Sequence, residues 1–123
     1  MTLDAGALIA VERDEREVAA GIEAAYRRGD AAVIPAVALA QAWRGPTSAR
    51  IDLLARHARI EPFTEERARA VGELLARSGT SDVVDAAVAL SAASRGGVLL
   101  TSNPDDMRRL AAYLRGSFSI VAV

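Results

Sequence analysis

Apolar positions along this chain follow two periods. Short segments at Thr2–Asp4, Ala32–Ile34, Arg59–Pro62, Gly97–Thr101 and Ser119–Val123 carry apolar residues without helical spacing, and each reads as a strand. Between them the apolar residues recur at helical spacing. Gly6–Glu12 reads as a short helix, and Arg13-Asp14-Glu15 as a mixed-sign solvated break. Glu15–Arg28 is amphipathic, with Val18, Ile22 and Ala25 on one face, and Gly29-Asp30 stops it. A helix from Pro35 to Arg44 is predicted, with Pro suited to its first turn and Gly45-Pro46 breaking it. Ser48–His57 follows, with Ile51, Leu53 and Leu54 expected inward and Ile60 buried in the next strand. Thr64 is a plausible N-cap ahead of Glu65 and Glu66, for a helix running to Arg77. Asp82–Arg95 is apolar around most of its circumference and so belongs in the centre, and Asn103–Leu114 closes the helical series.

Strands alternating with helices predict one domain over residues 1–123. The expected fold class is α/β, a three-layer α/β/α sandwich around a mostly parallel, five-stranded sheet. Right-handed crossovers bring the loops after each strand to a common edge. In such sheets ligands bind outside the carboxyl ends of the strands. Asp4, Asn103 and the start of the Asp82 helix all belong at that edge.

Composition narrows the chemistry. The chain has no Cys, which excludes disulfides, thiolate metal sites and Cys nucleophiles. With a single His, His57, a histidine-rich zinc site is not expected. A metal must therefore be held by oxygens, as Mg²⁺ and Mn²⁺ prefer. The net charge is −1, yet every basic residue is Arg, whose planar fork suits phosphate. There is no Lys and no Gly-rich phosphate loop, which argues against a nucleotide-binding domain. The N-terminus lacks a basic region ahead of a long apolar run, and no segment is apolar enough to span a bilayer, so a cytoplasmic protein is expected.

Acids stand at three places where a strand ends or a helix begins: Asp4, the pair Asp82 and Asp85, and the pair Asp105 and Asp106. Converging carboxylates at such points suggest a divalent cation and metal-assisted phosphodiester hydrolysis. Each also has a structural reading. Asp4 suits an N-cap, Asp82 and Asp85 resemble a capping box, and Asn103-Pro104-Asp105-Asp106 suits a helix start.

Four segments together resemble PIN domains, and VapC-type toxins of toxin–antitoxin pairs in particular. They are Leu3–Ala10, Pro35–Arg44, Asp82–Ala86 and Val98–Met107, in order along the chain. The resemblance implies a Mg²⁺- or Mn²⁺-dependent endoribonuclease that cuts RNA, forms a homodimer and is blocked by a protein antitoxin. By the same comparison Asp4 and Asp85 are catalytic acids and metal ligands. Asp82 and Asn103 complete the metal set, and Gln41 and Thr101 support it. Two further readings rest on the residues themselves: Asp106, three residues past Asn103, can supply missing charge, and Arg44, beside Trp43, suits an RNA phosphate or a carboxylate partner. Two positions depart from the pattern: Gln41 stands where most members have Glu, and Asn103 where many have Asp. An amide ligates through its carbonyl oxygen but brings no charge and no base. Weaker metal binding is the expected result, and a module that binds antitoxin or RNA without efficient cleavage is the alternative. The Glu15–Arg28 helix and the Ile51–Leu54 segment offer apolar surface for an antitoxin helix.

Overall fold

The five strands form one sheet, and all of its pairings are parallel. The computed structural model describes residues 1–123. The strands are β1 (Thr2–Leu3), β2 (Val33–Pro35), β3 (Arg59–Glu61), β4 (Val98–Thr101) and β5 (Ser119–Ala122), in spatial order β3-β2-β1-β4-β5. The helices are α1 (Ala5–Glu12), α2 (Arg16–Arg27), α3 (Ala36–Ala42), α4 (Ala49–Ala55), α5 (Glu65–Ser78), α6 (Val83–Arg95) and α7 (Pro104–Ala111).

The order of strands dictates the layers. The chain steps from β1 to β2 to β3 in one direction, then crosses back to β4 and on to β5. Right-handed crossovers put α1–α4 on one face and α5–α7 on the other. The packing agrees: α1 lies against α2, α3 and α4, while α6 lies against α5 and α7. The core is aliphatic. Leu3, Ile34 and Leu99 from the inner strands are fully buried, with Leu8 above them and Ala86, Val88, Ala89 and Ala92 of α6 below. The small side chains of α6 let it lie close to the sheet, as its all-round apolar sequence predicts.

Element ends differ from the sequence reading in instructive ways. The helix expected over Pro35–Arg44 stops at Ala42, and a 3-10 turn at Gly45–Thr47 follows. Trp43 leaves helical backbone at ψ 137°, and Gly45 then turns the chain at φ +80°, outside the α-helical region. The helix expected to reach Leu114 ends at Ala111, because Tyr113 and Leu114 donate three residues back, to Leu110 and Ala111, and tighten the last turn. Thr64 caps α5, its hydroxyl accepting the Arg67 N–H at 3.1 Å.

Two expected core residues are exposed. Leu53 is 58% exposed. Ile51 and Leu53 lie two apart and point to opposite sides of α4, so only Ile51 and its i+3 partner Leu54 turn inward. Ile60 is 37% exposed because β3 is an edge strand and Glu61 takes its covered side. Glu61 is buried there against Arg95 at 2.6 Å and Arg67 at 3.5 Å. Burial alone would raise its pKa. The hydrogen bond from Arg95, a smaller pull from the nearby Ser91 hydroxyl, which lies outside good hydrogen-bond geometry, and the charges of Arg67 and Arg95 overcome this and hold it below the ordinary value.

Candidate functional site

β1 and β4 are neighbours, with Thr2 beside Leu99 and Leu3 beside Leu100, so the segments leaving their carboxyl ends meet. Asp4 stands where they meet. Its backbone N–H continues the ladder to the Leu100 carbonyl at 3.1 Å. Its side chain caps α1: Oδ1 accepts the Ala7 N–H at 2.7 Å. Oδ2 accepts the Ser102 N–H at 3.0 Å, from the other segment. Asp4 is buried, and no cation pairs with it; two backbone donors satisfy its charge instead. Each carboxylate oxygen keeps a further lone pair for an outside ligand.

The β4–α7 segment is held from below. Thr101 is fully buried, and its Oγ1 accepts the Asn103 N–H at 2.9 Å. The Asn103 side chain is exposed and caps nothing.

Asp82 is the N-cap of α6, its Oδ1 accepting the Asp85 N–H at 2.9 Å. The cap therefore sets Asp85 one turn away on the same face. Asp82 and Asp85 share with Asp106 of α7 a cavity of about 300 Å³ whose wall also carries Thr80, Ser81 and Arg109. None of these three acids, nor Asp4, lies in a salt bridge. Asp85 feels the crowding. Burial first, then the charges of Asp82, Asp106 and Asp4, push its carboxyl up from 3.8 to about 6.

A pocket edged by uncompensated carboxylates is chemically suited to a hard divalent cation. No three acidic or histidine side chains stand at ligating distance from one point. Mg²⁺ does not require such a cage, since it commonly keeps several waters and takes one or two carboxylates. The donor set thus fits a hydrated Mg²⁺ or Mn²⁺ held in part through water.

The other expected site residues lie apart from this cavity. Gln41 is exposed on α3 and its side chain makes no hydrogen bond, although α3 packs on both α1 and α6. The Arg44 guanidinium folds back on α3, donating to the carbonyls of Trp43 at 2.7 Å and Ala40 at 3.3 Å. In that arrangement it closes a helix end. Arg109 was not singled out from the sequence. The signal was there: it follows Asp106 by three residues on α7 and so shares its face. His57 is exposed, and its carbonyl accepts the Tyr26 hydroxyl at 2.6 Å.

A second feature lies far from the acids in character. Between α2 and α4 runs an apolar groove of about 720 Å³, lined by Val11, Ile22, Tyr26, Leu53, Leu54 and His57 among others. Asp14 and Arg50 pair at its rim at 3.3 Å. Leu53, turned away from the core, is part of its wall. No helix of the protein is long and apolar enough to cross a membrane.

Comparison with known proteins agrees with the architecture. No curated protein matches the chain in sequence. Among solved structures, VapBC2 from Rickettsia felis, determined bound to a DNA fragment from its promoter, is similar, with TM-score 0.72 at 16% identity. The alignment covers 99% of this chain and 97% of that one. The PIN domain family matches residues 1–113, a span that holds every acid of the cavity, both loops at the sheet edge and the Asp4 cap, and the chain belongs to that family.

Proposed function

We propose that this protein is a metal-dependent endoribonuclease and the toxin of a toxin–antitoxin pair. The observation that carries the reading is the gathering of Asp82, Asp85 and Asp106 around one cavity, with Asp4 near enough to act on Asp85 and no cation paired with any of them. Like charges held together at a cost in stability, where the fold's ligands are expected, mark a functional site. Asp4 and Asp85 would hold Mg²⁺ or Mn²⁺, with Asp82 and Asp106 contributing directly or through water and Asn103 at the rim. Bound there, the ion supplies a nucleophilic water at neutral pH and charge stabilisation on phosphorus. Two backbone N–H groups fix Asp4, and the α6 cap fixes Asp85. Arg109, in the cavity wall without an ion-pair partner, is placed to receive a backbone phosphate of RNA. Arg44 serves α3 first, and contacts RNA only by leaving its carbonyls.

The apolar groove between α2 and α4 suits an amphipathic helix, the form in which an antitoxin segment would dock. The similarity to VapBC2 favours a partner of that kind. Exposed Trp43, beside Ala36, Leu39 and Ala40, offers apolar surface for a second copy of the chain in a homodimer. The competing reading is a binding module without efficient cleavage. It is favoured by Gln41, an exposed amide that adds no charge to the acidic edge.

The test is cleavage of a structured RNA with Mn²⁺, with EDTA, and by an Asp85→Asn variant. Cutting that requires Mn²⁺ and disappears in both controls supports the nuclease. A folded protein that neither cuts nor binds Mn²⁺ overturns it in favour of the binding module.

A further inference from the structure

Gly6 occupies the first turn of α1, in ordinary helical backbone: its φ is not positive, so no turn requires glycine there. Glycine in a helix costs stability relative to alanine, so its presence calls for another reason. The reason is space. A Cβ on Gly6 would lie 2.0 Å from Ser102 Oγ and 2.4 Å from Ser102 Cβ, well inside van der Waals contact. The Asp4 Oδ1 stands 3.3 Å from the same point. Ser102 thus sits in the place a side chain at position 6 would take, over the first turn of α1 and beside the Asp4 carboxylate.

That seat has a consequence for the carboxylate. The Ser102 N–H is one of only two donors that fix Asp4, and it comes from the opposite loop. If Ser102 is lifted from Gly6, its N–H leaves Oδ2, and the Asp4 carboxylate is held by α1 alone, while its backbone stays paired with Leu100. We propose that Gly6 and Ser102 form a steric lock that positions Asp4: Gly6 provides the seat, and Ser102 carries the donor that aims Oδ2. The two residues are positioning residues; neither needs to touch the substrate. The proposal rests on the nuclease reading for its functional meaning and on the contact geometry for its structural content.

The geometry makes the test reciprocal. Gly6→Ala introduces the clash. Ser102→Gly removes both atoms that cause it while keeping the N–H, leaving only Asp4 Oδ1 at 3.3 Å from the new methyl. The Ser102 amide in ¹H–¹⁵N spectra and its hydrogen exchange, corrected for intrinsic rate, report the bond to Asp4 directly, without metal or RNA. In Gly6→Ala, protection of that amide should fall at least tenfold, and Mn²⁺ affinity with it, while the melting curve stays cooperative. The Gly6→Ala/Ser102→Gly double variant should regain both to within about threefold. Retained protection in Gly6→Ala, or a double variant as unprotected as the single one, overturns the lock. If the wild-type chain binds no Mn²⁺, the nuclease reading fails and the amide measurement still decides the lock. If amide protection follows the lock and Mn²⁺ affinity does not, Asp4 positioning is overturned as its purpose.

Discussion

Asp82 Oδ1 accepts the backbone N–H of Asp85 at 2.9 Å, so the residue that starts α6 also presses its charge on the carboxyl it seats. One hydrogen bond serves both structure and chemistry. The cap satisfies a free helix donor, and the helix N-terminus partly offsets the two charges. The remainder is uncompensated, since Asp106 and Asp4 add to the repulsion and Arg109 pairs with none of them. The cavity is therefore arranged to prefer either a proton on Asp85 or an added cation.

The proton has a measurable signature. Asp85 is raised from 3.8 to about 6, so the folded protein takes up a proton on it more readily than the unfolded chain does. For a raised carboxyl, stability is highest below the ordinary pKa and falls as pH rises through about 6. The full shift corresponds to about 3 kcal/mol, and solvent screening at this half-buried site reduces it to about 1 kcal/mol. Asp85→Asn should therefore melt about 3–5 °C higher than wild type at pH 7.5 in EDTA, with the gap closing at pH 4. Calorimetry across that range checks it, and an Asp85→Asn variant that melts lower at pH 7.5 contradicts the assigned strain.

The two duties of Asp82 separate by substitution. Asp82→Ser keeps a capping oxygen and removes the charge, so stability should hold or rise slightly. Asp82→Ala removes the cap as well, at a cost of about 1 kcal/mol offset in part by the lost repulsion. Both should weaken Mn²⁺ binding to a similar degree. Titration with Mn²⁺ followed by electron paramagnetic resonance, together with chemical denaturation, distinguishes the two effects.

Much of this was readable from the residues, and the exceptions have physical causes. The alternation of strand segments and amphipathic helices specifies a parallel sheet whose strand ends share an edge, which puts Asp4 and the Asp82 helix start on the same side. Cap chemistry was equally local: Asp4, Asp82 and Thr64 all cap, as their side chains and neighbours suggest. Tertiary facts were not legible. That Ser102 rests on Gly6 depends on β1 and β4 being adjacent, which no local pattern states. Ile60, expected inward, is exposed and Glu61 is covered instead, because β3 lies at an edge and two arginines from other helices reach Glu61. Arg109 joins the acids only because α7 packs on α6.

Arg109 and Arg44 make opposite predictions. Arg109→Ala should lower kcat/KM for RNA about tenfold, mainly through KM, the equivalent of one phosphate contact of about 1.4 kcal/mol. Its Mn²⁺ affinity should hold or improve, because a cation leaves the cavity wall. Arg44→Ala should change cleavage little and lower the melting temperature slightly, through the carbonyls of Ala40 and Trp43 it leaves unmet. Steady-state kinetics on both variants checks the assignment, and a larger kinetic loss in Arg44→Ala would reverse it.

Glu61 titrates in the opposite sense to Asp85. Its pKa is held below the ordinary value, so its contribution is present above 4.5 and is lost as pH falls through the folded value. Glu61→Gln should cost about 2 kcal/mol at pH 7, because the Arg95 guanidinium then donates to a neutral amide oxygen instead of a carboxylate. The variant should converge on wild type in strong acid. Denaturation at pH 7 and pH 3 checks it, and a loss independent of pH would assign the effect to packing alone.

Gln41 is the position where sequence and site are most at odds. Its side chain is exposed and unbonded, yet α3 packs on α1 and α6, the helices that begin at Asp4 and Asp82. A carboxylate there adds a charge on a helix that touches both, without disturbing any side-chain bond. At an intermediate dielectric this is worth on the order of 1 kcal/mol of attraction for a divalent ion, about fivefold in affinity. Gln41→Glu should therefore bind Mn²⁺ about fivefold more tightly at low salt and cleave RNA faster, with the gain shrinking as salt rises. The same charge should raise the Asp85 carboxyl further in EDTA, so the metal-free variant should melt lower than wild type at neutral pH. Tighter Mn²⁺ binding with no faster cleavage would shift the weight to the binding module. No change in either would place Gln41 outside the site and leave the acids of α1, α6 and α7 to hold the ion alone.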